Sequence, residues 1–341
     1  MNQTINNQCY YTAGLFTLSL RLVIGWTYFS AFWRRLVLEN KLIPDEVGYI
    51  GEKFNHFLPN ALGIKPVIEY LVTHPETLQY SMVTFTIIEA IVGLFIMLGL
   101  FTRLMSIGVF SLALGILLGS GWIGTTCLDE WQIGILGIAG GFTLFLTGSS
   151  YSFDEYFLKN NFSFTHKKWF QWCNSGVLPF SNLKPVVLIG SMVIFGLTLF
   201  TNQYFHGGVW GTLHNKSVKP KLEITNVLLQ NSDLHFTIHR TEGVDVYGSF
   251  LIGIYILDEN GNILKALNHT ELSHFRKESI SNHYVSKVKP GKHSLIIPLG
   301  SKADLVINIG DIPDPKKRIH TLKLVDISGI EWTARLNSFN H

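Results

Sequence analysis

Two ionisable residues sit inside long apolar stretches: Arg21 in the first and Glu89 in the second. A charge in the hydrocarbon of a bilayer costs at least about 2.5–3.5 kcal/mol, so such residues pair with each other or with polar groups. With the stretches taken as residues 12–33 and 80–100 and running antiparallel, the two differ in depth by roughly 4–5 Å. That spacing predicts an Arg21–Glu89 ion pair. Such a pair either fixes helix register or forms a site for a quinone head group or a proton relay, and the residues alone leave both open.

A second constellation falls at the turn between the third and fourth apolar stretches: Trp122, Thr125, Thr126, Cys127, Asp129, Glu130 and Trp131. Most of these positions read as a polar turn with aromatic anchors. Cys127 could act as a nucleophile towards sulfur compounds and form a thiosulfonate adduct. That requires a thiolate near cations, which Arg34 and Arg35 on the same membrane face could supply. On the residues alone the turn reading outweighs a catalytic Cys127. His235 and His239 share a strand face but are four residues apart, too far to hold one metal.

Composition removes several classes. Cys9, Cys127 and Cys173 form no C-x-x-C pair, which excludes the usual signatures of c-type haem, zinc ribbons and cysteine-held iron–sulfur clusters. No flavin or molybdenum motif is visible. The net charge of +3 is too small and dispersed to point to nucleic acid.

The elements that must position these residues are membrane spans. Charged residues are only 15% of the chain, against roughly a quarter in soluble domains. Five stretches reach spanning length, at about 12–33, 80–100, 104–123, 131–147 and 184–203. The first has an uncharged leading region and reads as a retained helix rather than a cleaved signal. Ser111, Gly115 and Gly119, with Gly137 and Gly141, have the spacing of close helix packing. The long connector 34–79 is either functional or a small folded cap. A second polar segment, 150–183, carries His166, Lys167 and Lys168. Lys and Arg counts on the two faces tie, so orientation stays open. An odd number of spans puts the N-terminus and the C-terminal domain on opposite faces.

From about residue 218 the pattern becomes β. Runs at 221–230, 233–240, 249–257, 263–267, 293–299, 305–309, 321–326 and 330–336 read as strands. Turn signals lie at Asp258-Glu-Asn-Gly-Asn262 and Ser328-Gly329. Several short strands with such turns predict a β-sandwich.

Certain successions resemble a known family. The first span reads Arg21-Leu-Val-Ile-Gly25-Trp26-Thr-Tyr-Phe29, and the second reads Glu89-Ala-Ile-Val-Gly93 and then Leu98-Gly99-Leu-Phe-Thr102-Arg103. The fourth ends Gly148-Ser-Ser-Tyr-Ser152-Phe-Asp154. These resemble the DoxX/DoxD family of four-helix membrane proteins, and the Cys127-Leu-Asp129-Glu-Trp131-Gln region resembles its DoxD branch. The fifth span with its β-domain resembles DoxA, the partner subunit. The chain thus resembles a DoxD–DoxA fusion. Residues 1–158 form a DoxD-like four-helix membrane domain, 159–183 a connecting segment, 184–205 the fifth transmembrane helix, and 206–341 a DoxA-like β-sandwich domain.

The resemblance implies a thiosulfate:quinone oxidoreductase. Such an enzyme joins two thiosulfates into tetrathionate and passes two electrons to membrane quinone. It also implies a multi-pass protein of the cytoplasmic (inner) membrane with its β-domain outside the cytoplasm. Joining two dianions calls for a cationic, partly desolvated pocket. Arg34, Arg35, Trp122, Asp129 and Trp131 are the expected substrate-binding residues, and Arg21, Glu89 and Cys127 the expected catalytic ones. The quinone head group is expected near Trp26, Arg21, Glu89 and Arg103, with quinone the only redox cofactor and no metal site. The expected partners are thiosulfate, quinone and lipid, with a homo-oligomer left open. The competing reading is a non-catalytic scaffold or accessory subunit of a respiratory complex. A transporter is disfavoured because no inverted repeat is visible.

Overall fold

The computed structural model describes residues 2–44, 46, 48–124, 129–176, 178, 182–230, 232–243, 249–310 and 319–336. In chain order the helices are α1 (Asn2–Phe16), α2 (Leu18–Phe32), α3 (Glu52–Phe57), α4 (Lys65–Thr73), α5 (Pro75–Leu98), α6 (Thr102–Ser120), α7 (Asp129–Thr147), α8 (Phe153–Lys159), α9 (Lys168–Cys173) and α10 (Lys184–His206). They belong to two compact units. The first takes Met1–Ile50, Gln79–Gly121 and Asp129–Leu213, and the second takes Gly51–Leu78, Trp122–Leu128 and His214–His341.

In the first unit α5, α6 and α10 are long and apolar enough to cross a membrane. The segments Gln8–Phe16 and Leu18–Val37 would make a fourth crossing if the pair, bent by 52°, is one span. The bend falls at Thr17, whose hydroxyl donates back to Ala13 O (3.1 Å) and lies 3.3 Å from the Thr147 hydroxyl. α2 then runs on into a wider π-helical turn, Trp33–Val37, closed by Leu38 N donating to Trp33 O. The fourth predicted span forms α7, whose polar first turn, Glu130-Trp-Gln132, keeps it short of that apolarity.

Close packing is set by small residues. A Cβ on Gly93 would lie 2.4 Å from Phe29 N, and one on Gly25 would lie 2.9 Å from Met97 N, so α2 and α5 cross backbone to backbone there. Gly137 and Gly141 press α7 onto Ala113 and Phe110 of α6. Gly115 instead meets nothing within 4 Å, and Ser111 is exposed. The face of α6 that receives α7 is therefore Ser106, Phe110, Ala113 and Leu117, spaced three or four apart, and not the predicted Ser111–Gly115–Gly119 row.

The second unit is built on strands β1 (Lys221–Gln230), β2 (Asp233–Glu242), β3 (Phe250–Leu257) and β4 (Ile263–Leu267), a short helix α11 (His269–Ser273), then β5 (Ile280–Asn282), β6 (Lys289–Pro290), β7 (Leu295–Ile296), β8 (Lys302–Asn308), β9 (Thr321–Asp326) and β10 (Glu331–Arg335). One antiparallel sheet has the order β1-β2-β8-β5; the other is β10-β9-β3-β7-β6, with β4 on β3. The alternation in β2 and β8 turns Leu234, Phe236, Ile238, Leu305 and Ile307 inward, against Ile254, Ile256 and Leu324 of the other sheet. The predicted turns form as expected. The Asp258 carboxylate accepts from the backbone of Asn260 and Asn262, and the Asp326 carboxylate from that of Ser328 and Ile330.

The connector 34–79 is where the two readings of a long loop separate. From Gly51 to Leu78 it is a folded cap inside the second unit. Leu58, Ala61, Ile68 and Val72 bury against Tyr284. The buried Asn55 amide donates to Gly300 O and accepts from Ser286 N (3.1 Å). Asn60 donates to Thr241 O (3.1 Å). For this cap to share a membrane face with the strands after His214, the number of crossings between them must be even, so α7 must cross along with α5, α6 and α10.

Candidate functional site

Glu89 lies in the middle turns of α5 and is almost wholly buried. Its carboxylate accepts from Arg35 Nη1 at 2.6 Å, and the same nitrogen donates to Thr86 Oγ1 at 3.1 Å. The Thr86 hydroxyl in turn donates to Met82 O (2.7 Å), and the guanidinium sits 5.8 Å from the centre of the Phe85 ring. The π-helical turn carries Arg35 into this position. Such one-turn widenings re-aim side chains and are frequent at functional sites.

The predicted Arg21–Glu89 pair does not form. The glycine crossing sets the register: Phe29 is level with Gly93, and Gly25 with Met97. Counting along that register puts Arg21 and Glu89 about a dozen residues, or about 18 Å, apart in depth. The first span does not run from 12 to 33. It breaks at Thr17 and continues to Val37, so Arg21 stands near its beginning and Arg35 near its end.

Arg21 instead donates to Ser150 O (2.9 Å) and Tyr151 O (3.0 Å). This end of the unit, where α2 begins and α5 finishes, is a lock built from the quoted motif residues. Asp154 accepts from Phe101 N, Thr102 N, Ser175 N and the Ser175 hydroxyl, capping the start of α6. Burial pushes the Asp154 carboxyl up, and these hydrogen bonds oppose that. The fully buried Arg103 donates to Phe145 O, Gln171 O and Gly176 O. A cavity of about 560 Å³ lies beside this lock, lined in part by Tyr10, Tyr11, Ser149, Ser150 and Lys159.

The remaining sequence candidates separate. Trp26 is exposed on α2, and its ring begins an aromatic row: Trp26–Phe29, Phe29–Phe32 and Phe29–Trp33, at 6.1, 5.6 and 6.0 Å between centroids. Arg34 is exposed and donates to Ser30 O. The buried Trp122 indole donates to Phe57 O, within the second unit. The Trp131 indole donates to Thr201 Oγ1 (2.9 Å), joining α7 to α10 in the first. Cys127, Thr125, Thr126 and the Asp129 side chain lie outside the described residues. Among the described residues no group of three or more His, Cys, Asp or Glu side chains could hold a metal ion.

Sequence reasoning missed Thr86 and Phe85, which no ionisable-residue search would flag, and it placed Arg35 outside the membrane. In the second unit it considered His239 only as a metal ligand with His235 and set it aside. Burial first, then the neighbouring Lys302, pulls that imidazole down to about 4. Burial, with Lys53 and Arg240 nearby, does the same to His56.

The family model described as TQO small subunit DoxD matches residues 16–181, and that described as TQO small subunit DoxA matches residues 205–335. No solved structure matches the chain. The chain therefore belongs to the DoxD and DoxA small-subunit families of TQO, thiosulfate:quinone oxidoreductase, joined in one polypeptide.

Proposed function

We propose that the protein oxidises thiosulfate with membrane quinone, and that the quinone head group is received at the Arg35–Glu89 pair. Two thiosulfate dianions give up two electrons as the new S–S bond of tetrathionate forms; quinone takes those electrons with two protons and leaves as quinol. The observation that carries this reading is a buried ion pair inside the helical unit, with exposed aromatic residues on the helix that leads to it. Trp26 and Trp33 are 56% and 41% exposed, on the same helix as Arg35, where a lipid-borne ring could approach. Arg35 can donate to a quinone carbonyl. Glu89, held in place by Arg35, is a carboxylate that can take up a proton and pass it on to the reduced ring.

The same reading sets the protein in the cytoplasmic membrane with its second unit outside the cytoplasm. Of the cations between the first two spans, Arg34, Arg35, Lys41, Lys53 and Lys65, Arg35 is buried against Glu89 and Lys53 and Lys65 belong to the folded cap. On the opposite face Lys159, Lys167, Lys168 and Lys184 are all exposed. Short-loop cations favour the cytoplasm, whereas folded domains cross largely regardless of charge.

The test is a purified, detergent-solubilised protein given thiosulfate and a soluble quinone analogue. Loss of quinone absorbance with appearance of tetrathionate is expected. A folded protein that binds the analogue but never reduces it would favour the scaffold reading.

A further inference from the structure

The outer face of the four-stranded sheet is polar and partly covered. On β2 the side chains opposite to Phe236 and Ile238 are Thr237, His239 and Thr241. Across the ladders His239 stands directly between Glu223 of β1 and Lys302 of β8, neighbours at about 5 Å between Cβ atoms. Over this row lies α4. Its Glu69 accepts from the Tyr284 hydroxyl (3.1 Å), and the Tyr284 ring meets that of His239 edge-on at 6.3 Å. Lys65 opens the same helix and donates to Pro59 O, which leaves two of its N–H bonds.

Two buried polar atoms along this row of β2 have no protein partner: His239 Nε2 and Thr241 Oγ1. Buried groups of this kind are rare in folded proteins and point to something polar that belongs beside them. The carboxylates nearby are already taken. Glu223 is paired with Lys221 (2.9 Å), Glu69 with Tyr284, and Asp304 accepts from Thr237 and His283. What stays available is a set of donors at the edge of a helix: the exposed Lys65, the half-buried Lys302 and a buried imidazole nitrogen. That set matches a small, doubly charged oxyanion.

We propose that the seam between α4 and the outer sheet face binds the sulfur oxyanion substrate through His239, Lys302 and Lys65. This deepens the reading of the protein as a thiosulfate oxidoreductase and rests on it. The imidazole, as its Nε2–H tautomer, donates from the floor, and the two lysines close on the anion from β8 and α4. The cap from the DoxD region and the strands of the DoxA region thereby each supply a necessary group.

The full-length protein in detergent is titrated with thiosulfate by calorimetry, without quinone. The double variant Lys65→Gln/Lys302→Gln is expected to bind at least tenfold more weakly, and His239→Gln to lose affinity as well. Lys292→Gln, an exposed lysine of the turn between β6 and β7, is expected to bind as wild type. Lys65 is exposed, so the single Lys65→Gln variant keeps the test available if the double variant does not fold; a loss of at least threefold is expected. Quinone reduction by thiosulfate with undiminished binding in the lysine variants overturns the site alone. A wild-type protein that binds thiosulfate at this seam but never reduces quinone overturns the catalytic reading and leaves the site standing.

Discussion

Both ends of the helical unit bury arginine, and they do so in different chemical company. Where α2 begins, Arg21 and Arg103 donate to the carbonyls of Ser150, Tyr151, Phe145, Gln171 and Gly176. Carbonyls cannot take up a proton or leave their helix ends, so these two cations act as fixed clamps on the turns after α7 and α9. Where α2 finishes, Arg35 meets a carboxylate and a threonine hydroxyl on α5. That partner can change its charge, and the Phe85 ring of the same helix lies against the guanidinium. Intramembrane charge is therefore no single signal: the partner's chemistry separates a clamp from a reactive pair.

The largest effect is expected at the clamp. Arg103→Met takes a fully buried guanidinium away from the partly buried carbonyls of Phe145, Gln171 and Gly176 and is expected to cost about 3 kcal/mol of stability. It would show as a lower unfolding temperature in detergent, while activity per folded molecule stays near wild type. Loss of activity without loss of stability would move Arg103 into the reactive class. Gly93→Ala puts a methyl group against the Phe29 backbone and is expected to cost about 1–3 kcal/mol by the same thermal measurement. It should also lower turnover, because it shifts the helix that carries Glu89 relative to the helix that carries Arg35. Arg35→Lys keeps the charge but loses the planar fork, and turnover is expected to fall about tenfold with little change in stability. Arg34→Gln, next in sequence but exposed, is expected to change stability by under about 0.5 kcal/mol and to leave turnover alone. A large effect at Arg34 would mean that the π-helical turn presents the wrong arginine.

Much of this was visible in the sequence wherever the signal is local. Apolar length found α5 and α6 within a few residues, since a helix in lipid must be apolar for its whole crossing. Asp258-Glu-Asn-Gly-Asn262 and Ser328-Gly329 announced their hairpins, and in each turn one carboxylate, Asp258 or Asp326, bonds two backbone N–H groups. The bend at Thr17 and the wide turn at Trp33–Val37 left no mark, because apolar residues run through both. Misplacing those two points moved the centre of the first span and exchanged Arg35 for Arg21. The strands β5 and β6, three and two residues long, are too short to carry a pattern. The docking of α4 over His239 joins residues more than 150 positions apart, and nothing in either segment alone specifies it.

Glu89→Gln removes the proton-carrying role proposed for this carboxylate while preserving size and a hydrogen bond to Arg35. Steady-state reduction of a soluble quinone analogue by thiosulfate, compared between wild type and Glu89→Gln at equal folded concentration, is the decisive measurement. Turnover is expected to fall at least about a hundredfold, the usual scale of a lost general acid. Turnover within a factor of two of wild type would contradict a reactive Arg35–Glu89 pair and reduce it to another clamp.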